Sequence, residues 1–160
     1  MSKSTKTVTV RSMQWKLFFL GLIKIPVIGF VRPKLMYVDD DSMEVKIRLS
    51  RRTKNHLNSM YFGALTVGAD VAVGIHAFYF TEQLGSKVSL AFKGIKGEFH
   101  KRAESHVTFK SLQGKLIRKA LADSKKKEER INVPIEVTAV DENNEVVATF
   151  EMLLSLRVIQ

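Results

Sequence analysis

Residues 51–80 read RRTKNHLNSMYFGALTVGADVAVGIHAFYF and join a basic turn to a long apolar helix. From Tyr61 to Phe80 there is one charged residue, Asp70, in about five and a half helical turns. Apolar and small side chains occupy every face of this helix, and such helices are normally enclosed by protein. The glycines and alanines of this helix leave room for a neighbouring element to pack closely against it. The stretch therefore predicts a buried central helix with other elements wrapped around it.

The segments on both sides of this helix predict the sheet that would wrap it. The predicted strands alternate apolar and polar residues and are Lys34–Val38, Met43–Ser50, Lys87–Lys93, Lys101–Ser111, Ile131–Ala139 and Val146–Val158. Asp39–Asp41 and Asp141–Asn144 predict turns, and Gly94 and Gly97 predict a bend or bulge between two strands. Gly114–Arg130 has helical spacing. We therefore expect an α+β fold with a long antiparallel sheet and one central helix.

An extra N-terminal helix is predicted over Arg11–Lys24, ending before Pro26. The apolar run Met13–Val31 raises the possibilities of a signal peptide and of a membrane span. Lys16, Lys24 and Pro26 interrupt the run, so neither fits, and contact with a membrane surface remains a minor alternative. We expect four large apolar residues to pack on the domain or on a second subunit: Trp15, Phe18, Phe19 and Leu22.

Composition bounds the possible functions. A chain of 160 residues with 45% hydrophobic content predicts one domain over 1–160, of which 1–30 are the N-terminal helix and its lead-in. The net charge of +10 favours an anionic partner, which could be nucleic acid, a membrane surface or coenzyme A. Nucleic acid is the less favoured partner, because the basic residues are dispersed and form no recognisable binding motif. The absence of cysteine excludes thiol catalysis and agrees with a cytoplasmic location.

The spacing of polar residues in the central stretch resembles a known superfamily. Phenylacetyl-CoA-type thioesterases of the hotdog fold have an Asn, six residues later a His-Gly-Gly step, and an acidic residue nine positions after that His. Here Asn55, Tyr61-Phe62-Gly63 and Asp70 fall at those spacings. The resemblance covers most of the chain. Within the superfamily, the chain resembles most closely the uncharacterised branch of thioesterase-like proteins. It implies a hotdog fold, in which sites usually lie between subunits of a homodimer or homotetramer.

The resemblance also implies a chemistry for these residues. Asp70 would assist water attack on an acyl-CoA thioester, Asn55 would orient the reactants, and the amides of Phe62 and Gly63 would stabilise the oxyanion. Coenzyme A would enter as part of the substrate, with no separate cofactor. Tyr61 and Phe62 replace the family's His and Gly, so a non-catalytic acyl-CoA-binding or regulatory protein is the alternative. Asp70 could instead be a paired structural aspartate, and Asn55 a turn residue or helix cap.

Basic residues near this motif are candidates for binding the substrate. Arg51, Arg52 and Lys54 could attract coenzyme A phosphates, although a solvated strand end explains them equally well. His56 is a candidate for substrate contact. Lys93 and Lys96 belong to a second basic group. The histidines have no metal-ligand spacing, so we expect no metal site, and His76 lies six residues after Asp70, which disfavours an enoyl-thioester hydratase.

Overall fold

The structure is a computed structural model that describes residues 7–159. Residues 1–6 and 160 lie outside the described residues, and so does the beginning of the predicted lead-in 1–30. The helices are α1 (Val10–Phe19), a π-helical segment (Leu20–Lys24), α2 (Pro26–Val31), α3 (Phe62–Leu84) and α4 (Gly114–Lys127). The strands are β1 (Lys34–Val38), β2 (Met43–Ile47), β3 (Lys87–Phe99), β4 (Val107–Ser111), β5 (Ile131–Val140) and β6 (Val146–Ile159).

The six strands found in residues 7–159 form one antiparallel sheet in the order β1-β2-β4-β5-β6-β3. Helix α3 packs against β2, β4, β5 and β6, so the predicted sheet around one central helix is confirmed. Small residues permit this contact, since a Cβ added to Gly68 would lie 2.3 Å from the Phe109 ring of β4. The helix ends at Gly85, whose φ of +60° suits glycine. The sheet therefore encloses α3 at close range.

Helix α3 is also long and apolar enough to cross a membrane by length and composition. The core helix of a soluble protein passes the same test. In the structure, 67% of its most apolar window is buried inside the fold. Its apolar character is therefore accounted for by the core that it forms with the sheet.

Both predicted turns are confirmed, and each is closed by an aspartate side chain. Asp39 Oδ1 accepts hydrogen bonds from the amides of Asp41 (2.9 Å) and Ser42 (2.7 Å) between β1 and β2. Asp141 Oδ1 accepts hydrogen bonds from the amides of Asn143 and Glu145, both at 2.9 Å, between β5 and β6. These local bonds explain why the aspartates predict the turns.

The boundaries of β3 and β4 differ from the prediction. Strand β3 continues to Phe99, and the irregularity between Phe92 and Gly94 lies inside it, where the glycines were expected to separate two strands. Strand β4 begins at Val107 and not at Lys101. Ala103 is buried, but its carbonyl accepts a hydrogen bond from the Met60 amide at 2.8 Å, so this segment leaves the sheet to hold the loop before α3.

The N-terminal helix is confirmed, but its outer face is not packed as predicted. Met13 and Leu17 are buried, and Gln14 Oε1 accepts a hydrogen bond from the Leu35 amide of β1 at 2.6 Å. The four residues expected to pack on the domain are about half exposed: Trp15, Phe18, Phe19 and Leu22. The opposite face of α1 makes the contact with the domain, so these four point away from it. Their packing on a second subunit stays a prediction.

Candidate active site

The first turn of α3 leaves two backbone amides free. The loop before it is fixed by hydrogen bonds from the Tyr61 amide to the Thr53 carbonyl (2.7 Å) and from the Met60 amide to the Ala103 carbonyl. Tyr61 precedes the helix in an extended conformation, and no side chain caps the helix. Within residues 7–159, the amides of Phe62 and Gly63 donate no hydrogen bond. Two N–H groups at the positive end of a helix dipole are therefore available to an anion.

Aromatic rings surround these amides. The Tyr61 ring lies over Gly63, because a Cβ added to Gly63 would be 2.4 Å from Tyr61 Cε1. The Phe62 ring is 59% exposed and meets Phe99 at the end of β3 edge-on, with 6.3 Å between ring centroids. Phe99 in turn contacts Phe150 of β6. The first turn of α3 is thus tied to the Phe99 end of the edge strand by a chain of rings.

Asp70 lies farther along α3, in a groove of about 470 Å³ between the helix and β3. The groove is lined by Thr66, Val67, Asp70, Phe92, Lys93, Gly94, Ile95 and Met152. Burial raises the pKa of the Asp70 carboxyl above its usual range. In the described part of the chain this carboxylate has neither a hydrogen-bond nor an ion-pair partner. An unpaired, desolvated carboxylate is a stronger base than a solvated one, so this group is suited to taking a proton.

The free amides of Phe62 and Gly63 and the Asp70 carboxylate are not in direct contact within one chain. Gly63 and Asp70 are seven residues apart, which is about 10 Å along a helix axis. Donors that stabilise an oxyanion lie about 3 Å from it. Asp70 could reach a carbonyl held at its own chain's amides only through an intervening water. A carbonyl that touches both features directly would need Asp70 from another chain.

Asn55 and Lys54 are engaged inside the loop before α3. Asn55 Oδ1 accepts hydrogen bonds from the Leu57 amide (2.9 Å) and the Ser59 amide (3.2 Å), and Asn55 Nδ2 is 3.1 Å from Ser59 Oγ. These contacts are those of the turn alternative. Lys54 Nζ donates to Asn58 Oδ1 at 3.1 Å. His56 is exposed on the same loop.

The remaining basic candidates are separated by the fold. Lys93 shares the groove with Asp70, while Lys96 lines another groove with acidic neighbours from β5 and β6. Arg51 and Arg52 line a different cavity of about 640 Å³ on the outer face of β1 and β2. Sequence reasoning missed its other basic members: Arg32, Lys34, Lys46, Arg48 and His106. For Lys34, Lys46 and Arg48 the signal was the polar half of the strand alternation, which points outward when the apolar half is buried. Arg32 and His106 lie outside the strands.

Residues 7–159 contain no group of three histidine or acidic side chains that could hold a metal ion. His76 and His106 are the histidines with partners near the core. His76 Nε2 is 3.0 Å from the Asp39 carbonyl oxygen, and His106 Nδ1 accepts a hydrogen bond from the Leu49 amide at 3.0 Å. Both contacts join separate segments, which is a structural role.

The sheet around one long helix defines a hotdog fold. Similar solved structures include a protein of unknown function from Pseudomonas aeruginosa, named a probable thioesterase, with a TM-score of 0.77 and 19% identity over 98% of this chain and 100% of that one. A Haemophilus influenzae thioesterase has a TM-score of 0.67 and 14% identity over 96% and 94% of the two chains. Zebrafish thioesterase superfamily member 2 has a TM-score of 0.65 and 8% identity over 96% of this chain and 100% of that one.

At these identities the likeness shows the fold alone, and it confirms the predicted hotdog architecture. Residues 14–156 match the family described as domain of unknown function DUF4442. The chain belongs to that family. No curated protein matches it.

Proposed function

We propose that the protein hydrolyses acyl-CoA thioesters. The observation that carries the proposal is the unpaired Asp70 carboxylate, whose pKa burial raises, in an open groove of the same helix that presents two free amides. These are a base and an oxyanion site, which are the two groups that thioester hydrolysis by water needs. The thioesterase names of the similar structures agree with this chemistry.

The reaction uses groups of the chain alone. Asp70 takes a proton from a water molecule, and the water oxygen forms a bond to the thioester carbonyl carbon. The carbonyl oxygen becomes an oxyanion that accepts hydrogen bonds from the Phe62 and Gly63 amides. The carbon–sulfur bond then breaks, coenzyme A leaves as a thiolate that takes up a proton, and the carboxylic acid product remains. General-base assistance of this kind contributes roughly 100- to 10,000-fold to the rate.

The site is completed by a second copy of the chain. Strand β3 is an edge of the sheet, and its Phe99 end contacts Phe62 at the start of α3. If two β3 strands pair antiparallel, the Phe99 end of one strand lies opposite the earlier residues of the other. Phe92 and Ile95 of β3 border the Asp70 groove, so the pairing carries the amides of one chain toward Asp70 of the other. This arrangement would bring a base and an oxyanion site closer together than the roughly 10 Å that separates them along one helix.

A non-catalytic acyl-CoA-binding protein is the second candidate. The observation that favours it is the Tyr61 ring, which lies over Gly63 next to the proposed oxyanion site. A carbonyl that approached the Gly63 amide would have to share space with this ring. The groove and Lys93 would still accept an acyl chain and an anionic group, so binding without turnover is the distinguishing property of this candidate.

Turnover of purified protein on a panel of acyl-CoAs, followed by release of free thiol, tests the proposal. Asp70→Asn keeps the size of the side chain and removes its basicity, so we expect kcat to fall roughly 100- to 10,000-fold. Asp123→Asn makes the same change on α4, outside the groove, and should leave kcat unchanged. Because a base acts when deprotonated, wild-type kcat should be lost as the pH falls through the raised pKa of Asp70.

Two other results would decide against this assignment. Equal activity of wild type and Asp70→Asn would remove Asp70 from the mechanism. Measurable acyl-CoA binding with no turnover on any substrate would establish the binding protein instead. Asn55→Ala separates the two roles of that residue, since a turn role lowers the melting temperature and an orienting role lowers kcat alone.

A further inference from the structure

The N-terminal hairpin, residues 10–31, presents a continuous apolar surface to the outside. We call this surface the hairpin face, and it consists of Trp15, Phe18, Phe19, Leu22, Ile23, Ile25, Val27 and Phe30. Each of these side chains is at least 42% exposed. The rings of Trp15, Phe18 and Phe19 lie 5.6–6.1 Å apart, centroid to centroid, and form one aromatic cluster. Contiguous apolar surface of this kind marks an interaction site.

The hairpin holds this face outward. Thr9 and Ser12 form a capping box at the start of α1, and its opposite side buries Met13 and Leu17. The two arms touch backbone to backbone, since a Cβ added to Gly29 would lie 2.5 Å from the Gly21 carbonyl oxygen. The face cannot turn inward without breaking these contacts. Its exposure is therefore a property of the fold.

The charged residues of the hairpin and β1 are all basic. Residues 7–38 contain no Asp or Glu and five basic residues: Arg11, Lys16, Lys24, Arg32 and Lys34. Of these, Lys16 is paired with Glu82 of α3. An apolar surface with a mainly cationic rim, whose own segment has no acidic residue, is suited to the headgroup and acyl boundary of an anionic bilayer.

The hairpin face continues into the basic cavity on the outer face of β1 and β2. An apolar groove of about 710 Å³ runs along the hairpin, and Arg32, Lys34 and Arg52 line both this groove and the basic cavity. The Arg52 guanidinium lies 5.4 Å from the centre of the Phe30 ring, which joins the two regions. A lipid whose chains meet the apolar groove would place its phosphate near these cations. The two surfaces thus act as one.

We propose that the hairpin face and the adjoining basic cavity dock the protein on an anionic phospholipid surface. A second copy of the chain fits this face less well, because a two-fold contact would bring the basic residues around the face of one copy near those of the other. The hairpin covers β1, and the proposed dimer uses β3 at the opposite edge of the sheet. The dimer would therefore leave the hairpin face free for a membrane. The proposal does not depend on thioester hydrolysis.

Trp15 reports the docking directly, because it is the sole tryptophan of the chain. Full-length protein is mixed with vesicles of phosphatidylcholine alone or of phosphatidylcholine with phosphatidylserine. We expect co-sedimentation with the anionic vesicles, weakened by added salt, together with a shift of Trp15 emission to shorter wavelength. Brominated lipid chains should quench that emission, which a contact limited to headgroups would not produce.

Two double variants and their controls separate the apolar and basic parts. Phe18→Glu with Leu22→Glu changes only exposed positions, so folding should be retained and vesicle binding lost. Arg51→Glu with Arg52→Glu should weaken binding by at least roughly tenfold. Lys125→Glu with Lys126→Glu makes the same charge change on α4 and should weaken it less. Leu112→Glu, an exposed apolar position elsewhere, is the control for the first pair.

Several outcomes would overturn the proposal. Equal binding to neutral and anionic vesicles, or binding unaffected by both double variants, would remove the role of this surface. Self-association that Phe18→Glu with Leu22→Glu abolishes, without vesicle binding, would show that a second copy covers the face. Oligonucleotide binding lost in Arg51→Glu with Arg52→Glu, again without vesicle binding, would assign the basic cavity to nucleic acid.

Discussion

Two aspartates show how the surroundings of a residue decide its chemistry. Asp39 accepts hydrogen bonds from the Tyr37 hydroxyl and from the amides of its own turn, and these lower its pKa to about 2. Asp70 has no such donors, and burial raises its pKa. The first carboxylate is held in its charged form as part of the structure. The second is left able to exchange a proton, which is what a catalytic base must do.

Substituting alanine for each of two glycines of α3 should change the free energy of unfolding in opposite directions. A Cβ at Gly68 would overlap the buried Phe109 ring, whereas a Cβ at Gly74 would meet nothing within 4 Å. We expect Gly68→Ala to lower the free energy of unfolding by about 1–3 kcal/mol through overpacking. Gly74→Ala should raise it by up to about 1 kcal/mol, because alanine favours the helix. Urea denaturation measures both, and a stabilised Gly68→Ala would contradict the close packing of α3 on β4.

Sequence reasoning at the scale of single residues succeeded where a side chain's setting is local. The partial burial of Asp70 follows from the apolar residues on both sides of it, and the structure agrees. The separation of Arg51 from Lys93 could not be predicted in this way, because it depends on which face of the sheet each residue occupies. The same holds for the basic cavity, whose members come from three distant segments.

Helix α1 illustrates the same limit at the scale of an element. Its apolar residues occupy both the buried and the exposed face, so hydrophobic periodicity could not identify the side that contacts the domain. Leu17 and Phe18 are neighbours in sequence, but Leu17 is 2% exposed and Phe18 is 52% exposed. The contact was decided by the position of β1, to which Gln14 hydrogen-bonds.

These neighbours make a matched pair for measuring how the hairpin stabilises the fold. We expect Leu17→Ala to lower the free energy of unfolding by about 2–5 kcal/mol, because it leaves a cavity in the core. Phe18→Ala should change it by less than about 0.5 kcal/mol, since its side chain is at the surface. Chemical denaturation of both variants is the measurement. A large effect of Phe18→Ala would mean that the hairpin face is covered in solution.

The strands were predictable where one face is buried and the other is solvated. Met43, Val45 and Ile47 are fully buried and alternate with polar residues, so the start and the alternation of β2 were predicted correctly, although the strand ends at Ile47 and not at Ser50. The last part of β3 was missed because Gly94–Phe99 is exposed on both faces and has no alternation to detect. Residues 101–106 were predicted as a strand because their apolar and polar residues alternate around buried Ala103. The Ala103 carbonyl instead accepts a hydrogen bond from the Met60 amide in the loop before α3.

At the scale of the molecule, the two edges of the sheet are treated differently. Strand β1 has the N-terminal hairpin beside it, and Gln14 occupies one of its amides. Strand β3 is 13 residues long and carries exposed apolar residues such as Ile95 and Phe99. In the described part of the chain β3 pairs only with β6, so its other edge has no partner strand. A long apolar edge of this kind pairs readily with another strand.

We therefore expect the protein to be at least a dimer through β3, with a mass of at least twice 18.1 kDa. Ile95→Glu with Phe99→Glu should produce monomers, because two-fold pairing sets the introduced charges against one another in a contact that needs apolar surface. Leu112→Glu alters an even more exposed apolar residue away from this edge and should leave the dimer intact. Analytical ultracentrifugation at micromolar concentration distinguishes these states.

Activity measured on the same samples tests whether the dimer completes the site. If Asp70 of one chain acts on a carbonyl held by the amides of another, the monomeric variant should lose turnover while its melting curve still shows a folded domain. Because Ile95 borders the Asp70 groove and Phe99 contacts Phe62, wild-type turnover per chain should also fall when dilution produces monomers. Leu112→Glu should keep the activity of the wild type. A wild-type protein that is a stable 18.1 kDa monomer and fully active would place both groups of the mechanism in one chain, linked through water. In that case β3 pairing would have no part in catalysis.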